Sequence, residues 1–361
     1  MRLPVRIGAG SVAHRALCAA GVLALAAAVV AVPMVLDESN VRLFSQAAAF
    51  SIAILGLNIV TGWSGQVSLG HSAFMGVGAY TTAILVADHS WSYFTTVPVA
   101  AAGCFLVGVA VGVPALRLKG LYLALVTLGL AAVFPNLVNK LASVTGGSNG
   151  KNIPTRRIRL NAPGWTGLEA REQAYIWVYA IVVTGAVLAF VLARNLLRSR
   201  TGRALTALRD NAIGAEASGV DLARHKVLAF GISAAYAGVG GSLYMFTVSN
   251  ATGSAYSLSR SIELVTGVVV GGLASLGGSL LGGLLVIFLP EWSKDWGDGA
   301  LAGAIYGAAL IAIVAVYPRG LAGLVRRAAG ALVEVVPPGA GTTAQDGCDD
   351  EPMGDQRVTD G

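Results

Sequence analysis

Apolar residues fall into ten runs, approximately 16–36, 44–61, 71–87, 95–114, 120–139, 174–193, 227–248, 261–276, 278–291 and 300–317. A helix needs about 20 predominantly apolar residues to cross the hydrocarbon core, and most of these runs approach that length. The pattern predicts an all-α integral membrane protein with about ten transmembrane segments. Two places break the regularity. The short runs around Gly277-Gly278 predict either one hairpin or two half-spans that meet inside the membrane. Between the second and third runs the chain is polar and glycine-rich, with Gly62, Gly65 and Gly70 interrupting the helix and Ser64, Gln66 and Ser68 adding polar groups.

Lipid offers no hydrogen bonds to the backbone that such an interruption frees, so it must be buried in protein or line a wet path. A cytoplasmic turn between two full spans is one reading. Ten residues exceed what such a turn needs, which favours a broken or re-entrant segment whose amides and side chains line a substrate path. On that reading the pathway residues are Asn58, Gly62, Ser64, Gly65, Gln66, Ser68, Gly70 and His71. Asn58 and His71 are also suited to interhelical hydrogen bonds, and for His71 this structural role is the stronger.

Composition agrees with a chain largely in lipid. Of 361 residues, 55% are hydrophobic and 12% charged, with a mean hydropathy of +0.69; soluble domains are about one-quarter charged. The net charge of +6 does not point to nucleic acid, because the charges cluster at the ends of apolar runs. Cys18, Cys104 and Cys348 show neither zinc spacing nor a disulfide framework. The run 16–36 follows Arg2 and Arg6 and is too long for a signal-peptide core of about 7 to 15 residues, so it reads as a first span.

Basic residues then orient the chain. Arg2, Arg6 and Arg15, Arg117 and Lys119, Arg194 to Lys226, and Arg319, Arg326 and Arg327 all fall on one side when spans are counted from a cytoplasmic N-terminus. Arg156, Arg157 and Arg159 fall on the other side, inside a long loop where charge weighs less. The expected organisation is a cytoplasmic stretch 1–15, a membrane domain 16–325 with a cytoplasmic loop 195–226 and an outer loop 140–173, and a disordered cytoplasmic tail 326–361. Trp91, Trp165, Trp292 and Trp296 sit in or beside the outer loops, where indoles suit the headgroup zone.

The loop 195–226 contains a short amphipathic stretch. Leu205, Leu208, Ala212 and Ala215 share one helical face, and Arg203, Thr206 and Asp210 another. Thr201 and Asn211 are candidate N-caps and Gly219 a candidate stop. Such a helix lies on the membrane surface or docks in a groove of a separate protein. On the docking reading, Leu208→Asp breaks coupling.

In the outer loop, Thr145-Gly-Gly-Ser-Asn-Gly-Lys151 departs at both ends from the phosphate-loop pattern. Glycines four residues apart, at 108/112, 267/271, 278/282 and 299/303/307, permit close helix packing. Arg260 and Glu263 are spaced for a local ion pair. No metal-ligand cluster, nucleophile elbow or dinucleotide site appears in the sequence, so the chain is read as a transporter subunit without catalysis of its own.

The run Leu57–Tyr80 resembles the signature of permease subunits of bacterial branched-chain amino-acid ABC importers, M-type. Asn58, Gly62, Gly65, Gln66, Ser68, Gly70, His71, Phe74, Gly76, Gly78 and Tyr80 are in register with it. The run Ala207–Gly219 resembles the ATPase-coupling loop of such permeases, with Ala215, Glu216, Ala217 and Gly219 on its pattern. Thr145, Gly146 and Gly147 match a Thr-Gly-Gly element, and Glu263–Pro290 and Tyr317–Gly320 match late spans.

The resemblance implies an ABC-importer permease fold in the bacterial inner membrane, surrounded by lipid. The partners it implies are a second, H-type permease, two cytoplasmic subunits that bind ATP, and an extracytoplasmic binding protein. This chain would hold no cofactor. The coupling residues are then Leu205, Leu208, Arg209, Asp210, Ala215, Glu216, Ala217 and Gly219. The implied cargo is leucine, isoleucine and valine, with urea or short amides as the near alternative. An ion-coupled secondary transporter is the competing class.

Overall fold

The computed structural model describes residues 5–8, 27–118, 120–153 and 174–294, and separate residues between 304 and 336. The chain divides into two compact units, residues 32–324 and a smaller one formed by 1–31 with 325–361. In the smaller unit, β1 (Val5–Gly8) pairs in parallel with β4 (Val333–Val336), Val5 opposite Val333. The β-branched Val-Glu-Val-Val sequence that forms β4 lies within the expected tail; residues 337–361 lie outside the described set.

The larger unit is a helical bundle. Besides a single turn at Ala142–Thr145, its described helices are α1 (Glu38–Asn58), α2 (His71–Ala87), α3 (Tyr93–Ala115), α4 (Leu121–Lys140), α5 (Ala174–Arg198), α6 (Arg200–Asp210), α7 (Ala212–Ala217), α8 (Leu222–Tyr244), α9 (Leu258–Gly271) and α10 (Leu276–Lys294). Among the described residues six helices are long and apolar enough to cross a membrane: α1 with its extension to Trp63, α3, α4, α5, α8 and α10. α2 has 17 residues and α9 has 14, about 25 and 21 Å at 1.5 Å per residue, short of a bilayer core of about 30 Å. The described residues thus hold eight of the ten expected apolar elements, two of them shorter than a span. The expected spans 16–36 and 300–317 lie mostly outside them, apart from a helical stretch at 27–35.

α8 is the hub, packed against α1, α2 and α3. Contacts fix their directions. Along α8, Ser233 meets His71 and Ser242 meets Thr82, so α2 runs parallel to it. Gly56 lies by Ser233 and Ala49 by Gly240, so α1 runs antiparallel. α3 is also antiparallel, with Gly108 against Ala234 and Gly112 against Val227. α9 and α10 form an antiparallel hairpin in which Gly271 faces Gly278 and Gly267 faces Gly282. A Cβ on Gly271 or Gly282 would overlap the carbonyl opposite, so the two backbones touch without intervening side chains. The described residues form a hairpin here, and its first arm is shorter than a span.

The ends carrying Arg117 and residues 198–221 therefore lie together at the N-terminal end of α8, as the charge pattern predicts. At the opposite end β2 (Lys151–Asn152) pairs antiparallel with β3 (Asn250–Ala251).

Candidate translocation and coupling site

α1 does not stop cleanly. Its last turn widens into a π-helix over Ile59–Trp63, where the Ser64 amide reaches the Ile59 carbonyl at 3.2 Å. Such turns interrupt helices at functional sites and release backbone groups. Residues 65–70 follow without regular structure, and α2 starts at His71. Ser233, the partner of His71, lies eleven residues into α8, about 16 Å along it. The break therefore sits well inside the length of its neighbour, not at its end.

The loosened backbone is held from several sides. Ser64 Oγ donates to the Val60 carbonyl and accepts from Gln66 Nε2, both at 2.8 Å. The Gln66 amide donates to Val60 O. The Leu69 amide donates to Thr127 Oγ1 on α4 at 2.9 Å, and Gly70 is so close to the Thr127 carbonyl that a Cβ would not fit. Ser72 N and Ser72 Oγ both bond Ser261 Oγ, tying α2 to α9.

His71 is fully buried. Its Nε2 is 2.6 Å from Ser233 Oγ, which itself donates to the Gly56 carbonyl. With that hydroxyl proton committed, Nε2 must be the donor; Nδ1 then accepts from Ser68 Oγ at 3.0 Å. The imidazole thus joins α2, α8 and α1, the interhelical role anticipated for it.

Asn58 is also fully buried and closes the α9–α10 turn. Its Nδ2 donates to Ser279 Oγ (2.9 Å), Ser275 O (3.2 Å) and Gly272 O (3.3 Å), while its Oδ1 accepts from the Ala274 amide (2.9 Å). Ala274 has a positive φ of 53°, an uncommon conformation that this bond helps to hold. Gly62 packs onto Asn58 Oδ1 and Ala274 with no space for a Cβ. Gly320 presses on the same turn at Gly272. Of the expected pathway residues, Gly65 is exposed, and Asn58, Gly62, Ser64, Gln66, Ser68, Gly70 and His71 are buried.

The loop 195–226 folds as two helices, each capped at its start. Ser199, not Thr201, caps α6, its Oγ accepting from the Gly202 amide. The stretch begins two residues earlier than its apolar period suggests, because the helix of α5 runs on to Arg198. Asn211 Oδ1 caps α7 through the Gly214 amide at 3.0 Å, and Gly219 ends it at φ 82°. Leu205, Leu208 and Ala215 turn inward and are buried in this chain's own core. Arg209, Asp210, Glu216, Ala217 and Gly219 are exposed. Ile213, absent from the sequence reading, is 81% exposed on α7.

Arg209 joins the two regions. Its Nη1 donates to the Gly62 carbonyl at 2.9 Å, and its Nε and Nη2 hold Asp210 Oδ1 at 2.9 and 2.8 Å.

At the far end Thr145 Oγ1 bonds the Val138 and Leu141 carbonyls and accepts from the Gly147 amide. Gly146, with φ 81°, lets the chain turn back on itself. Lys151 pairs with Asp88 at 2.7 Å, and Tyr80 Oη donates to the Ala251 carbonyl at 2.8 Å. The Thr-Gly-Gly element is therefore a built turn at the end of α4, and Lys151 beyond it pairs with Asp88 and with the strand after α8. The expected Arg260–Glu263 pair forms at 2.7 Å, with the guanidinium 5.1 Å from the Phe50 ring centre. Trp91 and Trp292 are exposed; Trp165 and Trp296 lie outside the described residues.

A cavity of about 730 Å³ lies elsewhere, between α3, α5 and α8, lined by residues such as Phe94, Trp177, Leu188 and Tyr236. No charged side chain reaches it, so it offers nothing to a zwitterion. Among the described residues no three His, Cys, Asp or Glu side chains converge as a metal site would require.

The family described as "Branched-chain amino acid transport system / permease component" matches residues 39–314. The high-affinity branched-chain amino acid transport system permease protein LivM of Escherichia coli (strain K12) is 30% identical over 326 residues, covering 84% of this chain and 75% of that one. LivH of Salmonella typhimurium (strain LT2) is 23% identical over 294 residues, 76% of this chain and 92% of that one. The autoinducer 2 import system permease protein LsrC of Photorhabdus laumondii is 28% identical over 199 residues, 51% of this chain and 55% of its own. No solved structure matches the chain. With an interrupted span, an inward-anchored loop pair and a family match across residues 39–314, this chain belongs to the branched-chain amino acid transport system permease family.

Proposed function

We propose that this chain is the M-type permease subunit of an ATP-driven importer of leucine, isoleucine and valine in the bacterial inner membrane, with both termini cytoplasmic. It works beside an H-type permease, two ATP-binding subunits and an extracytoplasmic binding protein, and holds no ATP itself. The similarity to both LivM and LivH supports the pairing.

The observation that carries the proposal is the α6–α7 segment. One face is anchored in this chain beside the interrupted span, and the other presents Ile213 outward. A lone apolar side chain at the tip of a capped helix suits a groove in a partner. A loaded binding protein docks at the end carrying Thr145–Gly147. ATP draws the ATPase subunits together, the motion enters through residues 199–219, and the path beside the break alternates its exposure. The protein shifts between states only as far as its partners bind one state better.

Leu208→Asp is a poor test because Leu208 packs inside; charging it would unfold α6 first. Ile213→Asp alters only the outward surface. In proteoliposomes holding the complete transporter, wild type should accumulate radiolabelled leucine, isoleucine and valine with ATP, more than urea, a short amide or autoinducer 2. Ile213→Asp should lower uptake at least tenfold and weaken ATPase co-purification. Accumulation by the solitary permease under an ion gradient would replace this reading with a secondary transporter.

A further inference from the structure

We propose that Arg209 is the link through which the α6–α7 segment moves the interrupted span, by gripping the Gly62 carbonyl at the π-turn. The inference rests on the coupling role proposed above and adds where the force enters.

Three observations converge on it. First, the bond from Arg209 Nη1 to Gly62 O, at 2.9 Å, joins residues 147 apart in sequence and is charge-assisted. Arginine's planar fork lets Asp210 hold Nε and Nη2 while Nη1 stays aimed at the carbonyl. The neighbouring Gly65 sits against the Arg209 side chain, where a Cβ would come within 2.9 Å of Cγ. The guanidinium stem is therefore seated on the break as well as bonded to it.

Second, the acceptor lies in the one π-helical turn among the described residues. A π-turn is an element whose hydrogen-bond register can be re-formed, so a pull on its carbonyl has somewhere to go. Third, Gly62 leans directly on Asn58 Oδ1 and the Ala274 backbone. Asn58 in turn carries the turn between α9 and α10 through four hydrogen bonds. A displacement of α6 thus reaches α1, the break and the α9–α10 hairpin through contacts that leave no slack. Arg209 is a positioning residue, acting on the path through Gly62.

The test uses the complete transporter in proteoliposomes and reads uptake and ATP hydrolysis in the same preparation. Arg209→Gln removes the charge and the fork. Substrate imported per ATP hydrolysed should fall at least fivefold, while hydrolysis stimulated by the binding protein continues. Arg209→Lys keeps a donor without the fork and should recover part of the ratio. Arg203→Gln, on the same helix but with a side chain that among the described residues bonds Arg198 O and not the break, should leave the ratio at the wild-type value. Gly65→Ala, which crowds the Arg209 stem at Cγ and strains a backbone at φ 72°, should lower the ratio as Arg209→Gln does.

An unchanged ratio in Arg209→Gln overturns the link. So does a parallel loss of hydrolysis and uptake, which would make Arg209 an ATPase contact only. Failure of the wild-type complex to import would instead remove the underlying functional reading.

Discussion

Two side chains show how much one residue can organise at membrane depth. Asn58 and His71 each satisfy partners on separate helices, and neither has an exposed atom to trade for water. Replacing Asn58 by Ala orphans the Ala274 amide and removes a donor from Gly272 O, Ser275 O and Ser279 Oγ. The Ala274 amide loses this acceptor while Ser275 O keeps its bonds from Ser279, so Asn58→Ala should destabilise the fold by about 1–3 kcal/mol. Asn58→Asp should be at least as damaging, because it turns an oxygen toward acceptors that now receive a proton. Reversible unfolding in mixed micelles measures both; a loss under about 1 kcal/mol would show that the amide does not hold the turn. The sequence marked both residues as polar and placed at depth, but not their partners. Asn58 and its acceptors are more than 200 positions apart, and periodicity carries no information about which distant turn a polar group will meet.

Elements were more legible. α2 runs over the predicted residues 71–87, because the glycine-rich interruption before it and Asp88 after it bound an unbroken apolar run. The caps at Asn211 and Gly219 were also readable, since capping is local chemistry. The face of α6 was harder. Its pattern fits a membrane surface or a partner's groove, yet Leu205 and Leu208 bury themselves at home, because an amphipathic pattern says that a face is covered and not by what. The glycine spacing, by contrast, named both sides of the α9–α10 contact. Gly282→Ala drives a methyl into the Gly267 carbonyl, whereas Gly277 faces open space. Overpacking of this kind costs typically about 1–3 kcal/mol, so Gly282→Ala should lower the melting temperature while Gly277→Ala leaves it unchanged. Thermal unfolding of the two purified variants decides the matter; equal behaviour would mean the helices have room to separate.

At the scale of the whole molecule, the larger unit joins two ends of unlike character through one central helix. The end with α6 and α7 reaches inward through Arg209 to the break and the hairpin turn. The end with β2 and β3 is fastened by Lys151–Asp88 and by Tyr80 to the Ala251 carbonyl. The exposed Lys151–Asp88 pair adds at most about 1 kcal/mol, so Lys151→Ala should barely change stability. In the complete transporter it should weaken binding-protein docking by several-fold, read as a higher binding-protein concentration for half-maximal uptake.

The fully buried polar side chains are serine, threonine, asparagine, glutamine and one histidine; among the described residues none is a carboxylate, an ammonium or a guanidinium. An electric field across a bilayer does work of about 2.3 kcal/mol per elementary charge per 100 mV, and only on charges that travel through it. A core fastened by hydroxyls and amides gives that field nothing to push on. Among the described residues the half-buried Arg260–Glu263 pair adds no net charge, so this core should respond little when the cell's voltage rises or collapses.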